Sequence, residues 1–352
     1  MRAADTPAPG EGRREKATLQ DVADLAGVSR SAASFALTDR GRVSQATRER
    51  VRRAAAELGY RPNRAARNLR TRRSGIVGLC LPPESTTRTY YMDVAFGAVD
   101  AAKEAGLLVA VIAGSGALNS PADFDGLIVF DPQRDDPVIR QAAEAGIPVV
   151  TGERPLSDSE AIRGVVHGDH RASFPVLLDH LAACGARRPA LIAPVESTDW
   201  AISARAAYRQ WCREAGVEPS IRETSFPGSS EEVHAAAIGL VADPGIDAIV
   251  SMTDGTVLEV LAAAAASDRV PGEDLLLAGA ADSPVLVHTD PHITSLDLHP
   301  REFGAQCLRL LVRVIEEPPA ETIVETSTVT LRVRASSAGR AQSAAESDRM
   351  DV

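Results

Sequence analysis

Residues 18–60 place apolar side chains at helical spacing in three short runs. Leu19, Val22, Ala23 and Ala26 share one face, Ala33, Ala36 and Leu37 a second, and Val51, Ala54, Ala55 and Leu58 a third. Thr18, with Asp21 three residues on, predicts the start of the first helix. Gly27 supplies the turn, Ser29 caps the second helix, Val43-Ser44 opens the third and Gly59 stops it. From Gly75 the pattern changes to short apolar runs of strand type. IVGLCLP, LLVAVIA, GLIVF, IPVVT, PALIAP, IDAIVS and EDLLLAG alternate with helical stretches near 91–106, 135–145, 171–185, 200–216, 230–243, 255–267 and 300–316. Two such sets predict two doubly wound α/β lobes with parallel sheets, behind an all-helical head. The fold class is therefore α + α/β. One link is short: 114–125 (GSGALNSPADFD) is near the lower limit for a right-handed crossover, so the first lobe is expected to lack one full crossover helix.

Charge sharpens this division. The chain has 352 residues and a net charge of −10. Residues 1–73 carry 17 basic and 8 acidic side chains, and the rest carries 21 and 40. A basic head on an acidic body confines nucleic-acid binding to one end. The two-helix unit with a Gly-containing turn is a helix-turn-helix pattern, the motif that lays its second helix in the major groove. No run of 18 apolar residues predicts a membrane span, and no apolar signal segment is visible, so a cytoplasmic, nucleoid-associated protein is expected. Residues 1–16 read as a disordered arm and 336–352 as a disordered tail. Cys80, Cys184, Cys212 and Cys307 lie far apart in apolar or helical contexts and read as reduced core thiols.

No catalytic set stands out. G-x-S-x-G, H-E-x-x-H and the P-loop pattern are absent, so the chain is not expected to be an enzyme. His167 and His170 flank Asp169, but no third residue of ligand spacing accompanies them, and no metal or cofactor is expected. A small-molecule binder without regulation, or an enzyme fused to a DNA module, are the competing classes. The basic head disfavours the first, and the missing nucleophile elbow the second.

The head and its flanks resemble the LacI/GalR family of bacterial repressors. The resemblance is carried by T-L-x-D-V-A-x-x-A-G-V-S (18–29), V-S-x-x-T-R-x-R-V (43–51) and G-Y-x-P-N-x-x-A-R-x-L (59–69), and runs through the body to R-V-R-A-S-S (332–337). It implies a DNA-binding domain over 17–62, a hinge helix over 63–74 and a two-lobed, periplasmic-binding-protein-like domain over 75–335. It also implies a homodimer on a near-palindromic operator. Arg30 and Ser31 match the family's main specificity positions, with Ser34 and Phe35 beside them. Arg30 can pair bidentately with guanine, whereas Phe35, where the family often has Arg, can at most touch a thymine methyl or pack. Thr18, Ser29, Ser44, Thr47, Tyr60 and Asn63 fall where the family contacts backbone phosphates, which set register. Leu69 matches the leucine wedged into the central base step of the minor groove. Ala66 matches the small residue where two hinge helices meet. Arg64, Arg67, Arg70, Arg72 and Arg73 surround Leu69 and leave it little apolar surface to bury against.

In the family an effector, here sugar-like or nucleoside-like, sits between the lobes and biases the hinge. The resemblance places Arg205, Asp254, Asp282, Tyr91 and Glu153 at that ligand, and Tyr90 or Trp200 could stack on a ring. One departure is plain: the G-Y-D-D usual after one strand is G-A-A-D here, so Ala281 stands where the first acid is expected. Substituting Leu69→Ala should weaken operator binding while leaving non-specific, salt-dependent DNA binding nearly unchanged. Titrations on operator and random duplexes test this, and equal losses on both would reject the wedge.

Overall fold

The computed structural model describes residues 17–38, 43–60, 73–82, 88–113, 118, 120–226 and 228–338. The chain divides into two compact units at 72/73. The head contains α1 (Leu19–Ala26), α2 (Arg30–Thr38) and α3 (Gln45–Glu57). Thr18 and Asp21 form the full capping box, and Gly27 ends α1 in the left-handed region at φ 62°. Val22, Ala23, Ala26, Ala33, Ala36, Val51, Ala54 and Ala55 make one small core. Leu58 departs from its expected place: it follows α3 as the C-cap and is exposed, while Tyr60 packs against the core.

The body holds β1 (Ile76–Leu81), α4 (Thr89–Ala105), β2 (Leu108–Ala113), β3 (Leu127–Phe130), α5 (Pro137–Ala145), β4 (Val149–Gly152) and β5 (Ile162–Gly168). It continues through α6 (His170–Ala183), β6 (Pro189–Pro194), α7 (Asp199–Ala215), β7 (Ser220–Thr224), α8 (Ser230–Val241), β8 (Ala248–Ser251), α9 (Val257–Ala265), β9 (Leu276–Gly279) and β10 (Thr294–Asp297). It closes with α10 (Pro300–Glu316), β11 (Ile323–Ser327) and β12 (Thr330–Arg332). One sheet has the order β11-β5-β4-β3-β1-β2 and is parallel throughout. The other has the order β12-β10-β9-β8-β6-β7 and is parallel except for the edge pair β10/β12.

Both sheets are buried on two faces, which is why their central strands read as unbroken apolar runs. In the first lobe Val77, Leu79, Ile128 and Phe130 pack on α4 and α10, while Leu127, Val129 and Val149 pack on α5. In the second, Leu191 and Val250 face α6 and α7, and Ile192 and Ile249 face α8 and α9. Between β2 and β3 the described residues contain only a short 3₁₀ turn, Pro121–Asp123. Leu108 and Val111 on edge strand β2 accordingly stay exposed.

The chain passes between lobes three times, each time at the end of a strand: at 169 after β5, at 298–299 after β10 and at 328–329 after β11. The second lobe also runs past 335. Ser336 accepts from Thr294 N at 2.9 Å and donates to Leu277 O, and Ser337 contacts His180 Nε2 at 2.7 Å; both serines are fully buried. The expected tail therefore starts too early at 336, because these hydroxyls close the end of the second sheet.

Helices α4 and α10 cross at two glycines. A Cβ on Gly97 would lie 1.8 Å from Arg301 O, and one on Gly304 would lie 1.9 Å from Val94 O. Either clash is with backbone, so the helices would have to part. Gly97→Ala or Gly304→Ala should each destabilise the body by about 1–3 kcal/mol, read as a lower denaturation midpoint. An unchanged midpoint would reject the close crossing.

Candidate functional site

Two sites emerge, one in each unit. On the head, Arg30, Ser31 and Phe35 are exposed and Ser34 is half-buried, all on the face of α2 opposite Ala33 and Ala36. Phe35 is 46% exposed, so it does not serve the head's core. The Ser29 hydroxyl accepts from Ala32 N at 3.1 Å, Thr18 caps α1, and Ser44 caps α3 by accepting from Thr47 N. These hydroxyls orient helix ends whose free N–H groups favour anions. Asn63, Ala66 and Leu69 lie outside the described residues.

In the body a cleft opens where the carboxyl ends of both sheets meet, the usual ligand position of an open α/β sheet. Tyr91, Asp131 and Glu153 line it from the first lobe, and Trp200, Phe226 and Asp254 from the second. Asp131 follows β3 and Glu153 follows β4, both in the left-handed region at φ 46° and 80°. Backbone hydrogen bonds hold them there, Asp131 N to Gly152 O at 2.8 Å and Glu153 N to Val166 O at 2.7 Å. Such conformations are costly for residues with a Cβ and persist only where the surroundings impose them. Two glycines make room: a Cβ at Gly152 would strike the Phe130 ring, and one at Gly168 would strike the His170 ring.

Glu153 is 5% exposed, and its Oε1 meets His170 Nε2 at 3.0 Å and accepts from Gly168 N at 3.3 Å. Its Oε2 has no hydrogen-bond partner, and neither has Asp254 Oδ1. Tyr91 donates its hydroxyl to Asp131 at 2.7 Å. Burial, and then the charge of Glu153, push the Asp131 carboxyl up to about 7. Burial likewise raises Asp254 and, together with Glu153, Asp199. For His170 burial alone would favour the neutral ring, but the charge and hydrogen bond of Glu153 reverse this and raise it.

Across the mouth, Arg88 of the first lobe donates to Asp254 O at 2.9 Å and to Gly228 O of the second. Tyr90 N donates to Asp254 Oδ2 at 3.0 Å. The lobes are thus fastened directly at the cleft.

Of the residues expected at the ligand, the structure brings Tyr91, Glu153 and Asp254 together, with Tyr90 and Trp200 beside them. Two do not join them. Arg205 is buried in the second lobe, donating to Pro194 O at 2.9 Å and pairing with Glu196 and Glu223. Its guanidinium is spent on anchoring the end of β6 to β7. Asp282 pairs with Arg334 at 2.8 Å and accepts from Ser295 at 2.7 Å. Burial pushes this carboxyl up, but Arg334 and Ser295 together hold it below its ordinary range. Ala281 lines the cleft instead. Asp169 caps α6 by accepting from Ala172 N. Sequence reasoning missed Asp131, Arg88 and Phe226, and of these only Asp131 left a signal, an acid directly after an apolar strand.

A model of bacterial regulatory proteins of the lacI family matches residues 18–63, and one of a periplasmic binding protein-like domain matches 178–337. The HTH-type transcriptional regulator CelR of Thermobifida fusca is 32% identical over 330 residues, covering 89% of this chain and 97% of its own. The chain belongs to the lacI family. It is a DNA-binding transcriptional regulator, with the helix-turn-helix at its head and the periplasmic-binding-protein-like fold in its body. A solved complex of CelR with cellobiose superposes with a TM-score of 0.68 at 29% identity, covering 91% of this chain and 99% of that one. The lac repressor dimer bound to operator and anti-inducer gives 0.72 at 22% identity over 92% and 99%, a likeness of fold alone. Among the described residues of this lacI-family chain, no helix is long and apolar enough to cross a membrane.

The raised cleft groups predict a pH dependence. Asp131 titrates higher folded than its ordinary 3.8, and His170 higher than 6.5. Both bind protons more tightly in the folded state, so the stability they contribute is full at low pH and is lost as pH rises, for Asp131 through about 7. Melting of the ligand-free protein should shift downwards between about pH 5 and 8, and Asp131→Asn should flatten part of that slope. A variant slope equal to the native one would remove Asp131 as its source.

Proposed function

We propose that this lacI-family regulator is a repressor that binds a near-palindromic operator as a homodimer, and that a carbohydrate in the cleft controls its grip on DNA. The observation that carries the reading is the cleft itself. It is built from strand ends of both lobes and presents unpartnered, buried acceptor oxygens on Glu153 and Asp254 beside the aromatic rings of Tyr91, Trp200 and Phe226. Hydroxyl groups satisfy such acceptors, and sugar faces stack on such rings. A ligand touching both lobes changes the energy of their closure, and this is how it would reach the DNA head. CelR, whose complex with cellobiose shares this fold, supports a sugar as the ligand class.

On DNA, Arg30, Ser31, Ser34 and Phe35 would meet base edges, and Thr18, Ser29, Ser44, Thr47, Tyr60 and Asn63 the phosphates. Ala66 and Leu69 would enter the minor groove. The homodimer is supported by an apolar stripe on α4, where Met92, Phe96 and Val99 are 39%, 49% and 43% exposed at helical spacing. Val285 and Val287 extend the exposed apolar surface on the second lobe. Exposed apolar side chains grouped along one helix face are typical of protein contacts.

Selection from random DNA with the full chain should enrich a site with dyad symmetry; enriched sites without it would overturn the dimeric repressor. With that operator in hand, Glu153→Ala should keep DNA binding and lose at least tenfold in effector sensitivity, read as operator release against sugar concentration. Sensitivity that survives would place the effector elsewhere. Arg205→Ala, in contrast, should lower stability and leave the effector response in place.

A further inference from the structure

Which carbohydrate the cleft selects depends on its charge, and here the residues are specific. Among the described residues, the polar side chains that line it from the first lobe, beyond Arg88, are the carboxylates of Asp131 and Glu153 and the hydroxyls of Tyr90 and Tyr91. Arg88 donates to the carbonyls of Asp254 and Gly228, so its guanidinium sits on the second-lobe side of the cleft. Arg205, the guanidinium expected there, is turned to Glu196 and Glu223. Apart from Arg88, the charged side chains among the described lining residues are all carboxylates, hence acceptors.

At the second lobe Arg88 lies close enough to favour the charged form of Asp254. At the first lobe the balance is negative. Asp131, Glu153 and Asp199 act on one another, against His170 and Arg154. His170 is engaged with Glu153 Oε1, and Arg154 donates towards His167 at 2.7 Å. Glu153 Oε2 is left buried and unpartnered beside Asp131. Two acidic groups in that position resist ionising together, and burial makes the repulsion stronger.

We infer that the effector is a cationic amino sugar, whose ammonium sits between Asp131 and the free oxygen of Glu153 while its ring lies against the aromatic side chains of the cleft. This rests on the reading of the cleft as the effector site. An ammonium offers three donors and one positive charge, so it satisfies Glu153 Oε2 and relieves the repulsion at once. A neutral hydroxyl satisfies the oxygen but leaves the surplus charge. A phosphorylated or carboxylated sugar would set a like charge beside Asp131 and Glu153.

The test is titration calorimetry and melting of the full-length protein with glucosamine, N-acetylglucosamine, glucose, cellobiose and the diamino counterpart of cellobiose. The amines should bind at least tenfold more tightly than their acetylated or neutral partners and raise the melting temperature accordingly. Glu153→Gln should erase that preference rather than all binding. Equal or tighter binding of glucose, cellobiose or N-acetylglucosamine to the native chain would overturn the inference and leave the carbohydrate effector standing. If none of the five binds while the protein still selects a symmetric operator, both the amine and the cleft reading fall. The comparison on the native chain is decisive even if the variant does not fold.

Discussion

A parallel strand must be followed by a crossover, so the parallel strands of a lobe all end on the same edge of its sheet. The rest of the body depends on that constraint. Because the chain changes lobe only at strand ends, after β5, β10 and β11, the carboxyl edges of the two sheets are brought face to face. Side chains that are far apart in sequence, such as Asp131, Glu153 and Asp254, then share one water-poor space. The helices do not line the cleft by accident either: α4 and α7 start at its rim and contribute Tyr91 and Trp200 from their first turns.

Placing carboxylates in that space is costly, and the surrounding structure shows how the cost is met. Asp131 has the Tyr91 hydroxyl, and Glu153 has His170 and a backbone N–H. Both acids also occupy left-handed backbone, and the neighbouring Gly152 and Gly168 give up their side chains to make room. What remains unsatisfied, Glu153 Oε2, is a group that a ligand can complete. The cleft is thus less stable than a core of the same size, and under the proposed function that deficit is what would couple a ligand to lobe closure.

Much of this was legible in the sequence. The helix-turn-helix, its caps and the central strands follow directly from period, turn residues and apolar runs, because each is fixed by local chemistry or by burial on two faces. β7, β11 and β12 were not, since they lie at or near sheet edges and mix Arg, Glu and Thr with apolar residues. β5 contains Arg163, Gly164 and His167, and β10 mixes Thr294, Ser295 and Asp297 with a single Leu296, so neither reads as a strand. At the site, the fold brings Tyr91, Glu153 and Asp254 to one cleft, whereas Arg205 and Asp282 pair away from it. A residue number can match a pocket position while its side chain is claimed by a nearer partner, here Glu223 and Arg334. Those partners become visible only when distant segments come together.

The placement of β11 carries a consequence for how the protein is made. The first lobe draws on both ends of the body: β1 to β5 come early, but α10 and β11 arrive only after β6 to β10 of the second lobe. During synthesis the α4 face and the outer edge of β5 therefore wait for about 160 residues, on the order of 8–30 s at ordinary elongation rates. Throughout that interval the head is already outside the ribosome, carried on a half-built lobe. A message cut short in the second lobe would leave the first sheet without its outer strand β11 and α4 without α10, behind a head whose own small core is already complete.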